Sequence, residues 1–195
     1  MARVGTKAAT AATKDLIAAR TFATAGMRYA NATVTLDAAA PAARVSLRAA
    51  DRGIGVYSRH LGFELPTTPG ATASKGSTHA LWLGPDEWLI LDTKNANAKL
   101  VPTRANAAIS ATDVSHRNVG FILTGAGAAD GLNAACPRDL SLEAFPAKTA
   151  SRTILGKAEI VLYRTARDAF RVECWRSYVP YVWGLLVNGA QDAHL

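Results

Sequence analysis

Asp113, Ser115, His116 and Arg117 stand close together in the stretch DVSHRN. A carboxylate, a hydroxyl, an imidazole and a guanidinium are the groups that general acid–base chemistry or anion binding requires, and a neighbouring carboxylate tunes an imidazole towards neutral pH. Their spacing argues against joint catalysis. On a strand Asp113, Ser115 and Arg117 share one face while His116 points to the other. Turn and strand-edge structure is the reading the spacing supports.

The glycines of TGAGAADG, Thr124 to Gly131, have the look of a dinucleotide loop. The fingerprint needs Gly-x-Gly-x-x-Gly in a parallel β-α-β unit with an acidic residue about 20 positions on. Here the third glycine, Gly131, comes one position late, and Glu143 is followed by a proline-bearing loop, so a helix-opening turn is expected. His60, His79, His116 and His194 are scattered without ligand spacing. Cys136 and Cys174 form no Cys-x-x-Cys pair, which speaks against zinc and against a disulfide scaffold. Two reduced thiols in a cytoplasmic protein are expected, with Cys174 as core packing in FRVECW.

The chain carries 22 Lys and Arg against 15 Asp and Glu, a net charge of +7. A basic balance raises nucleic acid as a partner, but the arginines (Arg44, Arg48, Arg52, Arg59, Arg117, Arg138, Arg152, Arg164, Arg171) are dispersed, and no aromatic-interleaved RNA motif appears. The expectation is a basic surface that meets an acidic partner subunit. No stretch approaches the roughly 20 apolar residues that span a bilayer. Neither nucleic acid nor a membrane is expected as a partner.

These residues need elements to position them. Residues 1–43 are rich in Ala and Thr and nearly free of acids. They read as a basic arm that orders against a partner rather than as core, without the Ser enrichment of a transit peptide or the apolar centre of a secretion signal. From Val45 the pattern turns regular: VSLRA as a strand, a helix from Asp51, a Pro- and Gly-rich loop over Leu65 to Thr78, and a hairpin in LWLGPDEWLIL. In that hairpin Gly84 and Pro85 supply the reversal, and Asp86 and Glu87 keep it wet. Trp82 and Trp88 put large apolar groups on the hairpin, expected in part at a subunit interface. Beyond the polar connection Thr93 to Asn106, two strands flank His116 to Asn118. A helix follows over Ala126 to Ala135, stopped by Pro137, and then three strands, RTILG, EIVLYR and FRVECW. A terminal helix over Ser177 to Gln191 is expected, with Ser177 as N-cap and Tyr178, Tyr181, Val182, Leu185, Leu186 and Gly189 on its docking face. An arm over 1–43 and one α+β domain over 44–195, in two intertwined halves of about 44–106 and 107–195, result.

The hairpin string LWLGPDEWLIL, in a chain of this length, resembles the gamma subunits of heterotetrameric sarcosine oxidase. Asp113 to His116, the apolar Phe121 to Leu123, Thr124 and Gly125, and the ending from Trp175 to Leu186 are similar to the wider aminomethyltransferase superfamily of glycine-cleavage T-proteins. The resemblance covers about Val45 to Leu186. It implies an α+β fold of two antiparallel β-sheet lobes backed by helices, like the N-terminal part of the aminomethyltransferase fold. It also implies a small non-catalytic subunit, inactive alone, of an oxidoreductase acting on the CH–NH group of sarcosine. That complex yields glycine and hydrogen peroxide, with formaldehyde or 5,10-methylenetetrahydrofolate. FAD, FMN, NAD and tetrahydrofolate are implied in the alpha and beta subunits, zinc in the delta subunit, and no cofactor in this chain.

The chain departs from the folate-using members, which carry further C-terminal domains and an acidic residue that contacts pterin and amine. No counterpart of that acid stands here, and no Lys-Gly-Cys-Tyr motif occurs. No residue is therefore carried over as catalytic, cofactor-binding or metal-binding, and His116 and Arg117 are left without an assigned role. Two other readings stay open: the equivalent subunit of a related N-methyl amino acid dehydrogenase, and a free-standing folate-binding module.

Overall fold

The computed structural model describes residue 24, residues 26–103 and residues 108–193. Alternating apolar positions build two antiparallel sheets, because each strand must bury one face and can bury both only between layers. The first sheet takes β3 (Ala43–Ala49), β4 (Thr72–Lys75), β5 (Thr78–Gly84), β6 (Glu87–Asp92) and β7 (Ile109–Asp113) in the order β4-β5-β6-β3-β7. The second takes β1 (Arg28–Ala30), β2 (Thr35–Ala38), β8 (Asn118–Thr124), β9 (Thr149–Leu155), β10 (Ala158–Ala166) and β11 (Ala169–Trp175) in the order β1-β2-β8-β11-β10-β9.

Helix α1 (Asp51–Leu61) covers the outer face of the first sheet, where Tyr57 packs with Val45, Leu47, Trp88 and Ile90. Gly62 ends it in the left-handed conformation, φ 76°, which glycine adopts without a Cβ penalty. Helices α2 (Ala128–Asn133) and α3 (Val179–Asp192) cover the second sheet, against Phe121, Leu123, Leu162 and Val172. The inner faces of the sheets meet through Leu81, Leu89, Val114, Ala150 and Tyr163. The layers therefore run helix, sheet, sheet, helices, and the expected α+β class with two helix-backed antiparallel sheets is the architecture observed.

Four expectations are corrected. Residues 1–23 of the proposed arm lie outside the described residues, but residues 28–38 are sheet: β2 pairs with β8, and Val34 and Leu36 are buried. Their apolar residues are few, but they complete an existing core rather than founding one. The two halves exchange strands, since β1 and β2 join the C-terminal sheet while β7 closes the N-terminal one, so a cut at 106 falls before β7. The Leu65 to Thr78 loop contains β4, which pairs with β5 at the sheet edge, where Ser and Lys are tolerated. Ser177 lies in a 3-10 turn (Arg176–Tyr178) before α3, and the cap position Tyr178 makes no side-chain cap bond. With the helix starting two residues later, Val179, Val182, Leu186, Gly189 and Ala190 face the core, while Tyr178 and Tyr181 are exposed.

Candidate functional site

The charged residues that the fold brings together are ones the linear spacing does not mark. Odd-numbered positions of β3 point to α1, which turns Arg44 towards the second sheet; alternation on β11 turns Arg171 and Glu173 towards the first. Arg44 Nε donates to Glu173 Oε2 at 2.5 Å and Arg44 Nη2 to Oε1 at 3.2 Å. Arg171 Nε donates to Oε1 at 2.6 Å. All three residues are buried, Glu173 to 1% exposure. Burial opposes ionisation of Glu173, but the charges of Arg44 and Arg171 and the hydrogen bonds they donate hold its carboxyl below the ordinary value. His79 on β5 lies against Tyr163 in the same layer, and burial, reinforced by the charge of Arg171 and opposed by Asp92, lowers its pKa.

Arg164 is buried differently. Its guanidinium donates to the carbonyls of Leu140, Phe145 and Arg167 at 2.6–2.9 Å and lies 4.7 Å from the Phe170 ring centroid. It thereby pins the irregular connection between α2 and β9. Arg44, Arg164 and Arg171 are thus interior groups, which corrects their assignment to a basic surface. Sequence reasoning missed them because a lone Arg in a strand looks the same whether it faces water or a buried Glu on a strand 129 residues away.

Asp113, Ser115 and Arg117 are spent on structure. Asp113 Oδ1 accepts the Ser115 N–H at 2.8 Å, an Asx turn at the end of β7, and Ser115 Oγ accepts the Arg44 N–H at 2.8 Å. Arg117 lies over the Trp175 ring, 4.0 Å from its centroid. His116 instead lines a cavity of 220 Å³ beside the 39–42 bend, together with Arg44, Asn118, Gly120 and Arg176. Ser115 also lines this cavity, whereas Asp113 does not, so the structure separates His116 from Asp113.

The glycine string is filled by the chain itself. Gly125, at φ 119°, lies against the carbonyl of Thr33 so closely that a Cβ there would strike it, and the Gly127 N–H donates to that carbonyl at 3.1 Å. Gly131 and Gly189 let α2 and α3 touch backbone to backbone. Cys136 and Cys174 are both buried free thiols. Burial, with Glu173 beside it, pushes the Cys174 thiol up to about 12. Among the described residues no group of three His, Cys, Asp or Glu side chains converges to hold a metal, and His194 lies outside them. Trp88 is fully buried and donates to the Pro66 carbonyl at 2.7 Å, so the expectation of an interface there is corrected for Trp88. Among the described residues the exposed aromatics are Trp175, Tyr178 and Tyr181.

Residues 46–193 match the family model described as sarcosine oxidase, gamma subunit family. The chain belongs to this family. The sarcosine oxidase subunit gamma of Corynebacterium sp. (strain P-1) is 32% identical over 165 residues, 82% of this chain and 81% of that protein. The subunit gamma of an Arthrobacter species is 31% identical over 144 residues, 71% of each. In structure, the chain is similar to one in the heterotetrameric sarcosine oxidase of Corynebacterium sp. U-96 in complex with pyrrole 2-carboxylate, with a TM-score of 0.77 at 27% identity over 93% of this chain and 94% of that one. It shares its fold, at 12% identity and a TM-score of 0.62, with the glycine cleavage system aminomethyltransferase T from Bartonella henselae. The match covers 83% of this chain and 50% of that one. Membership of the gamma-subunit family and the aminomethyltransferase-like fold, both implied by the hairpin and the Asp113 to Gly125 stretch, are thereby established.

Proposed function

We propose that this chain is the gamma subunit of a heterotetrameric sarcosine oxidase and serves that complex as a structural subunit. The observation that carries the reading is the whole-length match in fold, at 27% identity, to a chain of such a complex. The interior supports it: the clustered charges and the groups of Asp113, Ser115 and Arg117 are engaged in holding sheets and turns together, which suits a scaffold. In this reading the partners are the alpha, beta and delta subunits, the flavin, NAD and folate chemistry and the zinc belong to them, and the complex is cytoplasmic. No helix among the described residues is long and apolar enough to cross a membrane.

The test is co-expression with the large flavoprotein subunits of its host and affinity capture through this chain. A yellow complex that oxidises sarcosine is expected, with no flavin absorbance from the chain purified alone. Recovery of this chain without partners would overturn the proposal, as would a stoichiometric yellow product from the chain by itself. A complex that oxidises another N-methyl amino acid and leaves sarcosine untouched would reassign the substrate and keep the subunit role.

A further inference from the structure

We propose that the cavity between the 39–42 bend and the Ser115 to Gly120 segment is a binding site for a carboxylate group. It measures 220 Å³, and among the described residues its wall carries Arg44, Arg176, His116 and Asn118 but no carboxylate. Apolar surface comes from Ala39, Pro41 and Val119. A positively lined concavity with a part-apolar floor is the form in which proteins hold the acid group of a small molecule or of another chain.

Two guanidinium nitrogens are buried without a hydrogen-bond partner: Nε of Arg176 and Nη2 of Arg171. Arg176 belongs to the wall itself. Arg171 and Glu173 stand together behind Gly120, another wall residue, where a Cβ would come within 2.7 Å of that Nη2 and 2.6 Å of Glu173 Oε1. The one interior carboxylate here, Glu173, is already shared by Arg44 and Arg171. A buried charged donor left unbonded is costly, and such donors in native proteins mark a missing acceptor. The guanidinium of Arg176, which lies on the wall, is the contacting group through a charge-assisted hydrogen bond, while the charge of Arg171 is offset by Glu173.

The carboxylate has two sources, a free carboxylic acid or an Asp or Glu side chain of a partner subunit; the second source rests on the gamma-subunit reading. The two are separated with the full-length chain and with the reconstituted complex. Backbone amides of Asn118 and Gly120 are followed by NMR while the chain is titrated with acetate or succinate, with chloride at matched ionic strength as control. A saturating shift with the carboxylates and not with chloride, weakened about tenfold by Arg176→Gln through loss of one charge-assisted bond, identifies a free acid. If small acids give no such shift, Arg176→Gln in the complex is expected to weaken assembly by about tenfold while circular dichroism of the isolated chain is unchanged. Arg176→Lys, which keeps the charge but loses the Nε donor, serves as second variant should Arg176→Gln fail to fold. Equal shifts with chloride and carboxylate, together with unchanged assembly of the variants, would overturn the site. Failure of the wild-type chain to assemble would sink the subunit reading and leave the titration alone to decide the site.

Discussion

Arg44 on β3 and Glu173 on β11 are joined by two hydrogen bonds in the space between the two sheets, 129 residues apart in the chain. The pair is a buried polar tie between a sheet built from residues 43–113 and a sheet built from the remaining strands, which the more exposed pair of Arg152 on β9 with Glu87 on β6 also links. Its location matters more than its Coulomb energy. A buried ion pair contributes little net stability over an apolar replacement, but removing one member leaves an uncompensated interior charge.

Glu173→Gln is therefore expected to destabilise the chain by about 3–5 kcal/mol, since it strands the guanidiniums of Arg44 and Arg171. The exposed pair of Arg48 with Asp86 makes the contrast: Asp86→Asn should cost less than about 1 kcal/mol. Urea unfolding of the two variants beside the wild type measures both. Equal costs would show that the interior pair is hydrated and behaves like a surface pair.

The same layer sets an acid limit. The folded value of the Glu173 carboxyl lies below its unfolded value, so its contribution is present above the unfolded value and lost as pH falls through the folded one. His79 acts with the same sign at higher pH. Its folded pKa is lowered, chiefly by burial, so the fold favours the neutral ring and loses stability once pH drops below the unfolded value of about 6.5. Thermal unfolding followed from neutral to acid pH should show a decline in two stages. His79→Gln should remove the upper stage and Glu173→Gln the lower; profiles parallel to wild type in both variants would refute the assignment.

The periodic elements were legible in the sequence because they answer to local rules. The LWLGPDEWLIL string forms β5 and β6 around Pro85 and Asp86, and FRVECW forms β11 with Cys174 inward. The interior ion cluster was legible only in part: Arg171 and Glu173, two apart on β11, share a face by strand alternation, but Arg44 joins them through sheet stacking, which no local spacing records. Strand β4 was missed for a related reason, as its Thr, Ala, Ser and Lys residues carry no apolar alternation and its place comes from pairing with β5. Arg176, the proposed carboxylate contact, drew no notice because it stands in a turn between two well-marked elements.

Helix packing yields a prediction of opposite signs within α3. Gly189 lies so close to the Gly131 backbone of α2 that a Cβ would collide with its carbonyl, whereas a Cβ at Gly184 meets nothing within 4 Å. Gly184→Ala is expected to stabilise the chain by about 0.5–1 kcal/mol through helix propensity. Gly189→Ala should instead cost about 1–3 kcal/mol by forcing the helices apart. Melting temperatures of the two variants, moving in opposite directions, check the contact.

The exposed aromatics give the test of how this subunit meets its partners. Trp175 is 41% exposed, stacked under the Arg117 guanidinium and 6.1 Å from the Tyr178 ring. Nothing in the fold requires so large a side chain there, and partly exposed Trp, Tyr and Arg in one patch are the residue types that dominate binding interfaces. Trp88, by contrast, is fully buried behind α1. Trp175→Ala is therefore expected to leave the isolated chain folded and to weaken assembly with the flavoprotein subunits by about 2 kcal/mol or more. Trp88→Ala should cost the chain itself about 3–5 kcal/mol as a core cavity. Circular dichroism of each isolated variant and its affinity for the partner subunits separate the two roles. If Trp175→Ala assembles normally and retains wild-type stability, the patch is solvent-facing in the complex, and the interface must use another face of the sandwich.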